Sequence, residues 1–258
     1  MTFIDSVIMG IVEGLTEFLP VSSTGHLILT SHILGLKQTP FEKTFEIAIQ
    51  LGAILSVVFI YRDKLIRSWE LWKKLIAAFI PTGILGLAFH HYIEKLFNPV
   101  VVSSMLIIWG IIFILVEFLH NEKEHHISEP EKVSYLKAVG IGLFQSLAMV
   151  PGTSRSGATI IGGMLLGMKR PAATEFSFLL AIPTMFAATG FELFKNFNSI
   201  DTSNLKLLLV GGVTAFISAF LAVKWLLGYV KHHSFIPFGI YRIIVGIIFL
   251  VVFYLQNS

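Results

Sequence analysis

The chain has 258 residues, of which 55% are apolar and 14% charged, and its mean hydropathy is +0.79. This composition excludes a soluble domain of ordinary surface and indicates a membrane protein. The net charge of +3 says little about partners, because the placement of basic residues matters more in a membrane protein than their sum. There are no cysteines, which excludes disulfides and thiol chemistry.

Six stretches are long and apolar enough to cross a bilayer, for which a helix needs about 20 mostly apolar residues. Four shorter apolar stretches remain, and the last of them reaches only about 18 Å as a helix, against a hydrocarbon core of about 30 Å. We therefore expect it to dip into the membrane and not to cross it. The predicted spans lie at about 45–61, 75–92, 100–119, 172–194, 205–227 and 236–255, and the short stretches at about 3–19, 24–35, 136–150 and 157–168.

Two similar polar turns interrupt the apolar sequence, PVSSTGH at 20–26 and PGTSRSG at 151–157. They belong to a longer repeat, in which GIVEGLTEFLPVSSTGHLI at 10–28 matches GLFQSLAMVPGTSRSGATI at 142–160. The predicted fold is an all-α polytopic membrane protein with an inverted-topology repeat, each half a re-entrant helix pair plus three transmembrane helices. The halves, about 1–120 and 136–255, form a single integral membrane domain over 1–258 and are joined by a cytoplasmic loop at about 120–135.

The basic residues predict how this repeat is oriented. A re-entrant hairpin followed by three crossings puts the second half on the opposite side from the first, so the repeat is inverted. Twelve of the 19 Lys and Arg residues fall in loops on one side and five on the other, while Arg155 and Arg242 lie within apolar segments. The richer side is therefore assigned to the cytoplasm. The turns then enter from opposite sides and meet near the midplane as one site.

Two acidic residues precede the first turn. Glu13 and Glu17 are four residues apart, so they share one face of a helix. A carboxylate at the bilayer centre costs on the order of 2.5 to 3.5 kcal/mol, and two close together repel each other. They need a cation or a shared proton, which indicates a divalent metal site, or a general base. A structural pair, satisfied by amides or hydroxyls near the interface, is the simpler alternative.

The turns themselves provide groups that bind anions. Each places hydroxyls and glycine at the start of a helix, where amide groups and the helix dipole favour negative charge. The second turn adds an arginine, which binds phosphate through paired donors. Together with the carboxylates these are the groups needed for phosphoryl transfer at a buried site, although ordinary helix caps or anion transport would use some of them too. The candidate residues are Ser22, Ser23, Thr24, Gly25 and His26 in the first turn, and Ser154, Arg155, Ser156 and Thr159 in the second.

Other polar residues within the apolar segments carry weaker signals. Glu46 and Gln50 share a helix face that can line the cavity, and Glu175 can partner Arg155, with structural pairing an equal alternative for all three. Arg242 is expected to satisfy backbone carbonyls or a buried acid.

With EGLTEFLPVSSTGHL and PGTSRSGAT, the chain closely resembles the bacterial undecaprenyl-diphosphate phosphatase family, known also for bacitracin resistance. The resemblance covers essentially the whole chain, including FEIAIQLGAI and FSFLLAIP. It implies hydrolysis of undecaprenyl diphosphate to undecaprenyl phosphate and inorganic phosphate, which recycles the lipid carrier for cell-wall synthesis, with a divalent cation, Mg²⁺ or Ca²⁺. The family's acidic motif falls on Glu13 and Glu17, its serine and histidine positions on Ser22, Ser23, Thr24 and His26, and its arginine motif on Ser154, Arg155, Ser156 and Thr159.

The resemblance also suggests roles for these residues, as a hypothesis. Arg155 and helix amides hold the diphosphate, Glu13 and Glu17 hold a metal or activate the nucleophile, Ser23 attacks the terminal phosphorus, and His26 protonates the leaving group or orients the serine. Attack by water or by His26 stays open.

The expected partners are the polyprenyl diphosphate substrate and membrane lipid, without nucleic acid, and a homodimer is left open. The expected location is the bacterial cytoplasmic (inner) membrane, multi-pass, with the active site opening to the outer, periplasmic side. The main alternative function is a polyprenyl-phosphate transporter or flippase, which an inverted repeat would also suit. The type 2 phosphatidic-acid phosphatases have a similar serine–glycine–histidine motif, but ATIIGGMLLGM lacks the histidine and aspartate that they need after the arginine.

Overall fold

The structure is a computed structural model that describes residues 1–37, 39–195, 201–202 and 204–257. In these residues the regular structure is ten α-helices and one short 3₁₀ helix at Pro130–Lys132, without a β-strand. The all-α prediction is therefore confirmed. The helices are α1 Phe3–Phe18, α2 Ser23–Ile33, α3 Pro40–Arg67, α4 Trp69–Glu94, α5 Pro99–Leu119, α6 Tyr135–Leu147, α7 Arg155–Leu165, α8 Arg170–Lys195, α9 Leu205–Tyr229 and α10 Ile236–Asn257.

Six of these helices, α3, α4, α5, α8, α9 and α10, are long and apolar enough to cross a membrane. Each of the six predicted spans falls on one of them, so the chain is a multi-pass membrane protein. The other four helices have 16, 11, 13 and 11 residues. At 1.5 Å per residue the shortest reach about 16 Å, which is only half of the hydrocarbon core.

The longest helix extends beyond its predicted apolar span because polar residues stabilise both ends. At the start of α3 the Thr39 hydroxyl accepts a hydrogen bond from the Glu42 amide and the Glu42 carboxylate accepts one from the Thr39 amide, which is a capping box. Pro40 occupies the first turn, where its missing N–H costs nothing. At the other end Lys64 and Arg67 lie in the last turn, where they complement the helix dipole.

Helices of one half pack on helices of the other. The short helix α1 packs on α9, and its counterpart α6 packs on α4. Helix α5 pairs with α10, and α3 packs mainly on α9 and also on α8. The first of these contacts is very close, since a Cβ atom on Gly10 would lie 2.6 Å from the Gly211 carbonyl oxygen. Gly142, which matches Gly10 in the repeat, meets the Ala78 carbonyl in the same way. This exchange of partners fits the predicted repeat, while the inverted orientation and the boundaries of the halves stay predictions.

A buried arginine joins the two interrupting turns. Arg242 of α10 is 0% exposed. Its Nη1 donates to the Pro20 carbonyl at 3.0 Å in the first turn, and its Nη2 donates to the carbonyls of Gly152 and Thr153 at 2.8 and 2.9 Å in the second. The expectation that Arg242 satisfies carbonyls is therefore confirmed. Backbone carbonyls of irregular segments find no water to bond in a bilayer. The Arg242 side chain donates hydrogen bonds to such carbonyls in both turns.

Replacing Arg242 by methionine is expected to lower the stability of the protein in detergent. The variant leaves buried carbonyl groups without a donor, at a cost of about 1–3 kcal/mol for each group. Thermal unfolding followed by circular dichroism measures the effect. The matched control is Arg67→Met, because Arg67 is an exposed arginine at the end of α3. Equal unfolding temperatures for the two variants would contradict the role of Arg242.

Candidate active site

The two interrupting turns have the same unusual backbone. Ser22 has φ 74° and ψ 96°, Ser154 has φ 76° and ψ 118°, and each precedes the first residue of a short helix. Among the described residues they are the only non-glycine residues with positive φ. Such a conformation is strained for a residue with a Cβ atom and is typical of functional sites. The two serines occupy matching positions of the sequence repeat, and they also share the same unusual backbone conformation.

The two serines use their side chains differently. The Ser154 hydroxyl caps α7 by accepting from the Gly157 amide at 3.1 Å, and it lies 3.0 Å from the Ser156 hydroxyl. Ser22 makes no side-chain cap with α2. The N-terminus of α2 therefore keeps its amide groups and the Ser22 hydroxyl available for an anion, whereas in α7 the Gly157 amide is taken up by Ser154.

A cavity of about 260 Å³ lies where the turns meet. Both halves of the chain line it, with polar and apolar residues. The polar lining is Glu17, Ser22, Ser23, Thr24, Gln50, Thr82, Gln145, Ser154, Arg155, Thr184 and Thr189; the remainder is Phe97, Ala148, Met149, Pro151, Gly152, Met185 and Ala188.

Three predicted residues are connected in this cavity. The Ser23 hydroxyl donates to Glu17 Oε2 at 2.5 Å. Arg155 Nη2 lies 3.2 Å from Glu17 Oε1, and Arg155 Nη1 donates to the Ser177 carbonyl at 3.0 Å. The side chains of Glu17 and Arg155 are each 12% exposed, so this ion pair is largely shielded from solvent. A serine hydroxyl held by a carboxylate, with a guanidinium beside it, is an arrangement for attack on an anionic centre.

His26 lies outside the cavity lining. Its Nδ1 is 2.8 Å from the Ser22 carbonyl oxygen, which can only accept, so Nδ1 carries the hydrogen. Its Nε2 then accepts from the Tyr241 hydroxyl at 2.7 Å, and the two rings stack at 5.6 Å. Both ring nitrogens are engaged away from Ser23, so in this structure His26 braces the first turn against α10. Nothing in the sequence around Tyr241 indicated this contact, because the two residues are 215 positions apart.

Four further predicted residues lie behind the cavity wall. Glu13 is 0% exposed and packs inside the protein, one turn before Glu17. Ser156 donates to the Leu19 carbonyl at 3.1 Å, so the second turn is bonded to the first. The Thr159 hydroxyl lies 2.6 Å from that of Ser177, and Gly25 packs near Val102 and Leu106. These residues, other than Glu13, shape the turns that present the cavity residues.

The two carboxylates fit a divalent cation. Within the part of the chain that the structure describes, no group of three or more His, Cys, Asp or Glu side chains could hold a metal ion. Neither carboxylate oxygen of Glu13 has a hydrogen-bond partner among the described residues, although the side chain is buried. A cation bound by Glu13 and Glu17 would supply that partner. Mg²⁺ commonly uses only one or two carboxylates together with phosphate oxygens of the substrate.

Of the polar residues expected on weaker grounds, only one lies in the cavity. Gln50 lines the cavity as expected, whereas Glu46 lines a separate small cleft beside Glu42. The expected pairing of Glu175 with Arg155 is wrong. Glu175 accepts a hydrogen bond from Lys64 at 2.6 Å, because the first turns of α8 lie against the last turn of α3.

Several lining residues had not been predicted, above all Gln145, Thr82 and Thr184. Gln145 donates to the Thr82 hydroxyl at 2.9 Å and accepts from the Thr184 hydroxyl at 3.2 Å. The repeat carried a signal for Gln145, since it occupies the position that matches Glu13, in the same alignment that pairs the two strained serines. The two threonines carried none, because single threonines are common in apolar helices, where they bond the preceding turn.

The family model described as bacitracin resistance protein BacA matches residues 6–248. The chain belongs to the BacA family. The undecaprenyl-diphosphatase of Persephonella marina is 61% identical over 250 residues, covering 97% of this chain and 98% of that protein. That of Wolinella succinogenes is 55% identical over 256 residues, covering 99% of each, and that of Aquifex aeolicus is 52% identical over 251 residues, covering 96% and 98%. The BacA family match spans both turns and reaches into all ten helices.

Alanine substitutions of the two strained serines are expected to have different effects. Ser154→Ala removes the cap of α7 and is expected to cost about 0.5–2 kcal/mol of stability. Ser22→Ala removes no cap and keeps a Cβ atom in the same backbone conformation, so its unfolding temperature should match that of the wild type. Thermal unfolding of both variants in one detergent measures the difference. An equal loss in both would show that the side chains of the two turns are used alike, contrary to the structure.

Proposed function

We propose that the cavity between the two turns is the site at which this protein hydrolyses undecaprenyl diphosphate to undecaprenyl phosphate and inorganic phosphate. The protein is an undecaprenyl-diphosphate phosphatase, and the reaction recycles the lipid carrier for cell-wall synthesis. The observation that carries the assignment of the site is the contact of Ser23 with Glu17 and of Glu17 with Arg155, since it joins a nucleophile, a base and a phosphate-binding cation from both halves. The names of the close relatives support the reaction.

The terminal phosphate binds beside Arg155 and the uncapped start of α2. Glu17 takes the proton of the Ser23 hydroxyl as its oxygen attacks the terminal phosphorus. A bond forms between Ser23 Oγ and phosphorus while the bond from phosphorus to the bridging oxygen breaks, and undecaprenyl phosphate leaves with the bridging oxygen. Water then attacks the phosphoserine, Glu17 mediates transfer of a water proton to Ser23, and inorganic phosphate is released. Arg155 offsets the charge on the phosphate oxygens throughout.

In this scheme His26 has a positioning role. Its bonds to the Ser22 carbonyl and the Tyr241 hydroxyl hold the turn that carries Ser23. The leaving phosphate is a weak base, so its departure does not depend on protonation by histidine.

Glu13 and Glu17 would hold a divalent cation, Mg²⁺ or Ca²⁺. When bound, the cation offsets the charge of the carboxylates and of the phosphate oxygens. The charges on these residues support this proposal. Without a cation, an anionic substrate in the cavity would lie against the Glu17 carboxylate, with buried Glu13 one turn behind it. Arg155 is the one cationic side chain in the described lining.

The cavity opens to the outer, periplasmic side of the bacterial cytoplasmic (inner) membrane. The uneven distribution of Lys and Arg among the loops supports this orientation. The four short helices support a re-entrant pair in each half, and the exchange of helix partners between the halves supports the inverted repeat. The lipid chain stays in the bilayer while only the head group enters the cavity, and exposed Phe97 and Ala188 form the apolar part of the entrance.

Phosphate release from undecaprenyl diphosphate should depend on both halves of the site. Glu17→Gln removes the base, and we expect a loss of about 10²–10⁴-fold in rate. Arg155→Ala removes stabilisation of the developing charge, and we expect a loss of about 10²–10³-fold. The purified protein in detergent is assayed for inorganic phosphate, with Glu70→Gln as a control because Glu70 is an exposed glutamate of α4. No release by folded wild type would contradict the proposal and favour the transporter.

The covalent step predicts a phosphorylated serine. Rapid acid quenching of a reaction with substrate labelled in the terminal phosphate should leave label on Ser23, because the intermediate precedes attack by water. Ser23→Ala should abolish both the label and turnover, whereas Thr24→Ala should keep the label. Full activity of Ser23→Ala would refute attack by Ser23 and favour direct attack by water.

The carboxylate pair predicts a dependence on divalent cations. A chelator should stop phosphate release by the wild type, and added Mg²⁺ or Ca²⁺ should restore it. Glu13→Gln should need a higher cation concentration for half-maximal rate, because one of the two ligands has lost its charge. A cation titration that is unchanged in Glu13→Gln would exclude Glu13 as a ligand.

A further inference from the structure

A neutral hydrogen-bonded cluster forms part of the cavity wall. It consists of Thr82 on α4, Gln145 on α6 and Thr184 on α8. The Gln145 amide nitrogen donates to Thr82 at 2.9 Å, and its carbonyl oxygen accepts from Thr184 at 3.2 Å. Thr82 in turn donates to the Gly142 carbonyl at 3.0 Å. The threonine hydroxyls therefore hold the amide plane of Gln145 in one orientation.

Gln145 keeps one hydrogen-bond donor for a ligand. A primary amide has two N–H groups, and in the described part of the chain only one of them is used. The residue is 1% exposed, yet it lines the cavity. A buried amide N–H that faces a cavity wall costs free energy unless something in the cavity accepts from it. Since the reacting molecule is a diphosphate, the natural acceptor is a phosphate oxygen.

The position of the cluster decides which phosphate that is. Ala148, the C-cap of α6, and Met149 in the turn that follows lie three and four residues beyond Gln145, and both belong to the apolar lining. Ala188 follows Thr184 by four residues on α8 and extends that lining. The cluster therefore adjoins apolar lining residues that follow it on α6 and α8, while Ser23 and Arg155 belong to the first turns of α2 and α7.

The substrate has the same order of groups: a terminal phosphate, a lipid-linked phosphate and an apolar chain. We propose that Gln145, held by Thr82 and Thr184, binds the lipid-linked phosphate of the substrate and of the product. This inference rests on the proposed function, and it divides the cavity into two phosphate subsites. The subsite for the terminal phosphate contains the cation Arg155, and the subsite for the lipid-linked phosphate is neutral.

A neutral subsite suits a group that must leave. An arginine or lysine at this place would hold undecaprenyl phosphate through charge-assisted bonds, which are roughly twice as strong as neutral ones, and would slow its release. A carboxylate would repel it. In the repeat Gln145 occupies the position of Glu13, so the second half has an amide where the first half has an acid.

Inhibition by the two products separates the subsites. Gln145→Met keeps the length of the side chain and removes the donor. We expect the KM for a prenyl diphosphate and the inhibition constant of a short-chain prenyl monophosphate both to rise about three- to tenfold, as for loss of one hydrogen bond. The value of kcat should stay within about twofold of the wild type, since the lost interaction is made equally in the ground state and the transition state. Inhibition by inorganic phosphate should also stay within about twofold, because inorganic phosphate binds in the other subsite. Gln145→Glu should raise both constants further through repulsion.

Thr184→Val provides a second test if the Gln145 variants fold poorly, because it releases the amide from one of its two supports and should shift the same two constants. The matched control is Thr214→Val, since Thr214 on α9 donates to the Val210 carbonyl at 2.7 Å and does not line the cavity. It should leave all constants unchanged. A lower kcat with unchanged KM, or weaker inhibition by inorganic phosphate alone, would overturn the subsite. Absence of turnover in the wild type would instead refute the proposed function.

Discussion

The contact between Arg155 and Glu17 is the interaction on which the site depends, because it joins the two halves of the chain at the cavity. Each partner alone would be costly in an apolar protein within a bilayer: a carboxylate needs a positive neighbour, and a guanidinium needs acceptors. The pair satisfies most of this need, with the Ser177 carbonyl as a further acceptor. Glu17 can accept from Ser23 at the same time because its two oxygens serve different donors.

The backbone polar groups of the two strained turns also need partners. A helix that stops inside a bilayer leaves amide and carbonyl groups without partners, and these groups can bind either the protein or a ligand. Arg242 bonds carbonyls of both turns, and Ser156 bonds the Leu19 carbonyl across the junction. What remains open is the start of α2, where Ser22 has no capping bond. The protein therefore closes most of the polar backbone itself and leaves the part that a phosphate can occupy.

The spans could be predicted from the sequence because a bilayer imposes a length of about 20 apolar residues on each helix. The short helices could be predicted because proline, serine and glycine interrupt the apolar runs. The ends of α3 could not, since the capping box at Thr39 and the charged last turn carry the helix beyond its apolar part. The left-handed conformation of Ser22 and Ser154 was also hidden, because serine rarely adopts it and only the surrounding fold imposes it.

The site was predictable where chemistry alone restricts the residue type. A serine, a glutamate and an arginine within apolar sequence have few structural uses, and Ser23, Glu17 and Arg155 do line one cavity. Residues whose position depends on distant helices were not predictable in the same way. His26 contacts Tyr241, which lies 215 residues later in the chain, on α10. Gln145 is ordinary by residue type and becomes significant only through the threonines that α4 and α8 place around it.

Both halves of the chain line the same cavity, and the absence of cysteine allows binding of substrate there to be tested directly. Single cysteines are introduced at Thr24 in the first half and Met149 in the second, both in the cavity wall. Alkylation by a polar maleimide is then measured against increasing concentration of a prenyl diphosphate in the presence of a chelator. The substrate is expected to protect both positions with the same midpoint. Protection of only one of them, or protection with clearly different midpoints, would contradict a single site formed by the two turns.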